Sequence, residues 1–114
     1  MGRRNVIRKV KLVENEDMGS NVESKVIKVS SLDRVKFIID FKGNAVGNFK
    51  FLISDDMENF YEIEPDITLS ANGADDSHIL NINLVNFTFI KILYEASSGF
   101  GTLNIGFTGN NIGA

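Results

Sequence analysis

From Val35 onward the chain alternates. Val35, Phe37, Ile39 and Phe41 are interleaved with Lys36, Ile38, Asp40 and Lys42, the period-2 pattern of a strand with one buried face. Phe49, Phe51 and Ile53 then alternate with Lys50, Leu52 and Ser54, so a second strand follows. Between them, Gly43-Asn44 and Gly47-Asn48 tolerate positive φ, and the spacing predicts a hairpin. Two strands alone are marginal in water, so the remaining chain must cover their apolar face.

The rest of the chain reads as further short strands. Val6 to Val13 and Val22 to Val29 are β-branched runs, separated by a polar connection from Glu14 to Asn21. Asp55 to Asn59 forms a turn before a short strand from Phe60 to Ile63. Pro65, the only proline, precedes another from Ile67 to Ser70 and suits an edge or a strand start. Ala71 to Ser77 is a turn cluster, and Leu80, Ile82 and Leu84 alternate with asparagines beyond it. Thr88 to Glu95 is a denser apolar run, as a central strand requires; Ser97 to Gly101 turns it into Thr102 to Thr108, where Leu103, Ile105 and Phe107 alternate with Asn104 and Gly106. No amphipathic helix of useful length and no internal repeat is present. The expected fold class is all-β: an antiparallel β-sandwich, jelly-roll-like, of about eight strands. Residues 1–13 are expected as a basic amino-terminal arm or strand, and 14–114 as the sandwich.

Phe37, Phe49, Phe51, Phe89 and Phe107 are expected in its core, and Gly99 and Gly101 are expected to supply positive φ in the last turn. A buried Tyr94 would need a partner for its hydroxyl.

Composition narrows the chemistry. At 114 residues the chain is one domain, with nine Phe and no Trp in its apolar 43%. Without Cys it has no disulfide framework, thiolate nucleophile or Cys-based metal site, and a single His leaves little for acid–base work near neutral pH. No apolar run approaches the ~20 residues of a transmembrane helix. The first residues are too polar for a secretory signal, and Val6 stands where a myristoylation motif has Ser or Thr. Asn86-Phe87-Thr88 matches a glycosylation acceptor, but no secretory signal accompanies it.

Charge is unevenly distributed. Residues 1–11 carry Arg3, Arg4, Arg8, Lys9 and Lys11 and no acid, a formal +5; the other 103 residues hold 7 basic and 15 acidic side chains, a formal −8. Such an arm could meet the acidic body of a neighbouring copy or nucleic acid, or simply be a solvated terminus. Apolar Val6, Ile7, Val10 and Leu12 among the charges favour a strand added to a neighbour's exposed edge.

Catalytic patterns are scarce. Asp55, Asp56, Glu58 and Asn59 form an acidic tip, but Met57 interrupts the calcium-loop pattern and no Gly follows. Asp75, Asp76 and His78 would need a further metal ligand from elsewhere, and an Asp-rich turn explains them more simply. No phosphate-cradling glycine loop and no nucleophile elbow occurs. An enzyme is not expected, and neither is a cofactor.

Phe49 to Ile63 (FKFLISDDMENFYEI) and Asn83 to Gly109 (NLVNFTFIKILYEASSGFGTLNIGFTG) carry a resemblance. Together with the hairpin before them, they are similar to a family of small bacteriophage virion proteins with the patterns F-x-V-x-x-S-x-D-x-x-x-W, aromatic-Ile-Arg-Val-x-Tyr and S-G-x-G-T-L-N. Phe49, Phe51, Ser54, Asp55 and Asp56 match the first loosely, with Phe60 or Tyr61 at the Trp position. Phe89 to Tyr94 matches the second with Lys for Arg, and Ser98 to Asn104 matches the third closely. The resemblance covers about residues 35–109 and omits the basic arm. It implies a non-enzymatic β-sandwich building block of the virion, in head or tail, which self-associates and docks on other virion proteins. A weaker likeness to discoidin-type jelly-roll modules implies carbohydrate binding as the alternative. Arg3, Arg4, Arg8, Lys9, Lys11 and Tyr61 are the candidate interaction residues; glycan is the alternative partner, nucleic acid a competing one for the arm, and no membrane partner is expected.

Overall fold

The computed structural model describes residues 6–30, 32–63, 69–82 and 85–111, with the backbone alone for 6–8 and 111. In chain order the strands are β1 (Val6–Asp17), β2 (Val22–Glu23), β3 (Ile27–Lys28), β4 (Arg34–Gly43), β5 (Val46–Ser54), β6 (Tyr61–Glu62), β7 (Leu69–Asn72), β8 (Asp76–Ile82), β9 (Phe89–Ser98) and β10 (Gly101–Asn111). They form two antiparallel sheets. The first has the order β1-β10-β4-β8. In the second, β9 and β5 are central; β2 and β3 pair with β9, and β6 and β7 pair with β5. Each pair of short strands shares one line along its neighbour, so the ten segments occupy eight positions, four to a sheet. This is the all-β sandwich expected, in jelly-roll arrangement.

The single run expected over Val22 to Val29 is broken, yet its pairing to β9 continues through a side chain. Ser24 N donates to the Ile92 carbonyl at 2.9 Å, and Ile92 N donates to Ser24 Oγ at 2.8 Å. Both partners of the buried backbone are thereby satisfied.

β4 and β5 do not form the expected hairpin. They lie in different sheets, and Gly43–Ala45 carries the chain across the sandwich between them. Side by side, their phenylalanines would have made one apolar face still in need of cover. Facing each other, they close it: the Phe37 and Phe51 ring centroids are 6.0 Å apart, and those of Phe41 and Phe49 are 5.7 Å apart. Phe107 of β10 completes the cluster at 5.4 Å from Phe37, and all five rings are buried. Gly47-Asn48, read as part of that turn, lies inside β5.

Further corrections follow from the register. In β9 the inward row is Ile90, Ile92 and Tyr94, all fully buried, while Phe89 pairs with Lys28 and Ser54 and is only half-buried. Apolar residues of both parities in this strand had hidden which face was which. β1 runs past Val13 to Asp17, with register shifts that place both Leu12 and Val13 in the core. It pairs with β10 of its own chain, Val10 opposite Phe107, so from Val6 onward the arm's backbone finds its strand partner within the molecule. Ala71, Asn72, Asp76 and Ser77 belong to strands rather than to the turn. Gly99 has positive φ but Gly101 does not; a Cβ on Gly101 would come within 2.6 Å of the Lys42 carbonyl oxygen, so close approach is what requires glycine there. Pro65, Ile67 and Leu84 lie outside the described residues.

Candidate docking site

Two chain crossings meet at one end of the sandwich. Gly43–Ala45 links β4 to β5, and Gly99–Phe100 links β9 to β10. Asn44 fastens them: its N–H donates to the Phe100 carbonyl, and its Oδ1 accepts from Phe100 N, each at 2.8 Å. Gly43 N donates to Asp75 Oδ1 at 2.7 Å, and Met18 N to the Gly101 carbonyl at 2.9 Å. The contact is too tight for side chains. A Cβ on Gly99 (φ 78°) would approach the Asn44 carbonyl oxygen to 2.3 Å, and one on Gly43 (φ 119°) the Phe100 oxygen to 2.6 Å. Glycine is needed at both for the left-handed φ as well. The result is a fastened corner from which the Phe100 ring projects, 72% exposed. An aromatic ring on a backbone already held in place loses little freedom on binding and suits an anchor.

The second feature is the outer face of the first sheet. Inward Val35, Phe37, Ile39 and Phe41 of β4 leave Arg34, Lys36, Ile38, Asp40 and Lys42 pointing out. The register aligns Lys9, Thr108, Lys36 and Asn81 in one row across the sheet, and Lys11, Gly106, Ile38 and Ile79 in the next. A Cβ on Gly106 would meet nothing within 4 Å, which leaves a shallow hollow bordered by Lys11, Ile38, Asp40 and Asn104. Ile79 extends the apolar row at 61% exposure.

Charge runs lengthwise along this face. Lys9, Lys11, Arg34 and Lys36 gather on one half. At the other end, Asp17 pairs with Thr102 and Asp75 holds Gly43, so two carboxylates stand at the Phe100 corner, with Lys42 beside them. Asp76, opposite inward-facing Phe41, lies on the other side of the sheet. On the outer face of the first sheet Lys11 lies 3.6 Å from Glu14, both well exposed. On that of the second sheet the pairs are closer: Lys50 lies 3.0 Å from Glu95, whose hydrogen bond raises the lysine's pKa, and Lys91 joins Glu23 while its Nζ sits 4.3 Å over the Phe60 ring.

The predicted interaction residues are therefore dispersed. Lys9 and Lys11 lie on the basic half of the first sheet. Arg3, Arg4 and the Arg8 side chain lie outside the described residues. Tyr61, 66% exposed, pairs with Ile53 on the second sheet, at the end of β5 away from Phe100. Sequence reasoning missed Phe100, Gly106, Arg34 and Lys36. The signal for Phe100 was present: a phenylalanine between two glycines in a turn has no strand face on which to hide.

The acidic tip is committed to its own turn. Asp56 accepts from Glu58 N at 2.9 Å, Asn59 N at 2.8 Å, Asn59 Nδ2 at 2.9 Å and Ser54 Oγ at 3.0 Å. These bonds to the ionised form, the backbone ones foremost, hold its pKa well below the usual carboxylate range. Asp55 Oδ1 accepts from Thr88 N at 2.9 Å and from its hydroxyl at 3.0 Å, tying the tip to the start of β9. His78 Nε2 bonds the Ser70 carbonyl at 2.7 Å, and Asp76 caps Ser77 N. Among the described residues no cluster of three or more His, Cys, Asp or Glu side chains could hold a metal ion.

No protein-family model and no curated protein sequence matches the chain. Its fold does have counterparts among solved structures. The SPBc2 prophage-derived protein YomS superposes with a TM-score of 0.61 at 13% identity, covering 97% of this chain and 98% of that one. The PBSX exported protein XepA gives 0.67 at 16% identity, and VP2 from the infectious bursal disease virus subviral particle gives 0.62 at 9%. These cover 97% and 95% of this chain but only 40% and 33% of the longer XepA and VP2 chains. At such identities the likeness is one of architecture: over nearly its whole length, this chain has the fold of a prophage-derived protein and of part of a viral-particle protein.

Proposed function

We propose that the chain is a non-enzymatic structural component of a bacteriophage virion, resident in the particle and working by docking on its neighbours. The observation that carries this reading is the match to YomS over almost the full length of both chains. The VP2 likeness adds that the same sandwich serves in a viral particle. The S-G-F-G-T-L-N segment, on which the resemblance to phage virion proteins is closest, builds the fastened corner that presents Phe100. A docking protein needs rigid surfaces rather than reacting groups, and the corner and the basic sheet face are such surfaces.

Carbohydrate binding is the weaker reading. Glycan sites use aromatic platforms, and the exposed rings Tyr61 and Phe100 lie toward opposite ends of β5, too dispersed to form one. The test is fractionation of phage particles from a producing host on a density gradient, with immunodetection of this protein. Co-banding with particles that survives nuclease and high-salt washing is expected. Recovery solely in the soluble lysate would contradict the assignment.

A further inference from the structure

We propose that copies of this chain join head to tail, the Phe100 corner of one seated in the hollow over Gly106 on the first sheet of the next. The inference rests on the docking reading above for its biological setting, but its chemistry is that of the chain alone.

Three features complement one another. The corner offers an apolar ring, 72% exposed, on a backbone fixed by the two Asn44–Phe100 hydrogen bonds. The sheet offers a shallow hollow at its middle, where Gly106 leaves open space beside Ile38, with Ile79 continuing the apolar row. At the corner stand Asp17 and Asp75, with Lys42 beside them. Beside the hollow stand Lys9, Lys11, Arg34 and Lys36, with Asp40 at its border and Glu14 3.6 Å from Lys11, so the corner is net acidic and the hollow's surround net basic. The acidic surround of one copy thus faces the basic half of the other, which steers encounter and disfavours the reverse orientation.

Knob and hollow lie at different places on one molecule, so the contact is heterologous. A copy that uses its knob still has its hollow free. Such a contact generates rings where the rotation closes and filaments where it does not, either of which suits a repeated particle component. The isoleucine row favours protein over nucleic acid as the occupant, because single-stranded nucleic acid is held by aromatic platforms and this face presents none among its described residues.

Two variants separate the halves of the contact. Phe100→Ala removes the knob without touching the core. Gly106→Arg fills the hollow in a strand where open space accommodates the side chain. Sedimentation of the purified full-length protein is the readout, with unchanged melting as evidence of folding; Phe100→Ser and Gly106→Lys replace any variant that melts early. Wild type should form oligomers that grow with concentration and weaken between about 50 and about 500 mM salt. Each variant alone should associate at least about tenfold more weakly. An equimolar mixture should recover one species, a dimer, because one intact knob then meets one intact hollow. The proposal falls if wild type stays monomeric to about 1 mM, if either variant associates like wild type, or if the mixture yields no dimer. It falls equally if Lys9→Glu and Lys36→Glu abolish binding of a DNA duplex while self-association is unchanged, since the face would then belong to nucleic acid. A monomeric protein that still co-bands with particles would overturn this contact and leave the virion assignment standing.

Discussion

The hydroxyl of Tyr94 occupies the space that a side chain at position 47 would fill: a Cβ on Gly47 would meet it at 2.5 Å and the Glu95 carbonyl oxygen at 2.4 Å. The fully buried tyrosine of β9 thus lies against a strand position kept bare for it, with the Phe49 ring 4.9 Å from its own. Gly47→Ala should cost about 3 kcal/mol. Because the carbonyl clash remains when the hydroxyl is removed, the Gly47→Ala, Tyr94→Phe double variant should recover little of that loss in urea denaturation. Full recovery would show that the hydroxyl alone keeps the position bare.

Tyr94 leads to a second expectation. Its hydroxyl has no protein hydrogen-bond partner among the described residues, so Tyr94→Phe removes a buried polar atom without stranding another. The variant should match wild type within about 1 kcal/mol or exceed it. Burial raises the pKa of Tyr94 above its ordinary value. Above about pH 10 the unfolded tyrosine ionises while the folded one resists, so stability should decline as pH rises there, and less steeply in Tyr94→Phe. Parallel alkaline profiles for the two proteins would contradict this.

The core is anchored by rings that meet between the sheets. Phe37→Ala and Phe51→Ala should each cost about 3–5 kcal/mol, whereas Phe89→Ala, on the outer face of β9, should cost about half as much or less. Equal losses at all three in chemical denaturation would mean that β9 turns its other face inward.

That contrast shows what the sequence could convey. β4 was legible because Val35, Phe37, Ile39 and Phe41 alternate with mainly polar residues, and the buried face follows directly. β9 was legible as a central strand but not in its facing, since Phe89 and Leu93 are as apolar as Ile90 and Ile92. The pairing of β4 and β5 was not legible. Gly43 and Asn44 permit a tight hairpin and a crossing between sheets equally well, and the choice is made by what the phenylalanines of each strand pack against. The basic segment was visible as a charge run. Its partners on the sheet, Arg34 and Lys36, became visible only once β1 and β4 were known to flank β10. Residues brought together by pairing leave no local pattern.

Acid should expose the turn at the tip. The hydrogen bonds to Asp56 depress its pKa, so it binds a proton more readily in the unfolded chain than in the folded one. Its stabilisation is complete above the ordinary carboxylate pKa of about 4 and is lost as pH falls through the depressed folded value. Asp56→Asn should be less stable than wild type at neutral pH, and the two should converge as pH falls from about 4 toward about 2. A gap that stays constant with pH in thermal melts would assign the effect to something other than the carboxylate charge.

The central claim, that this sandwich is a repeated structural part of a particle, is tested most directly by its copy number. Quantitative mass spectrometry of purified particles, against a labelled standard and the major shell protein, gives that number. The account predicts a fixed stoichiometry that is a whole multiple of the order of one of the particle's rotational axes. A trace amount that varies between preparations would contradict it.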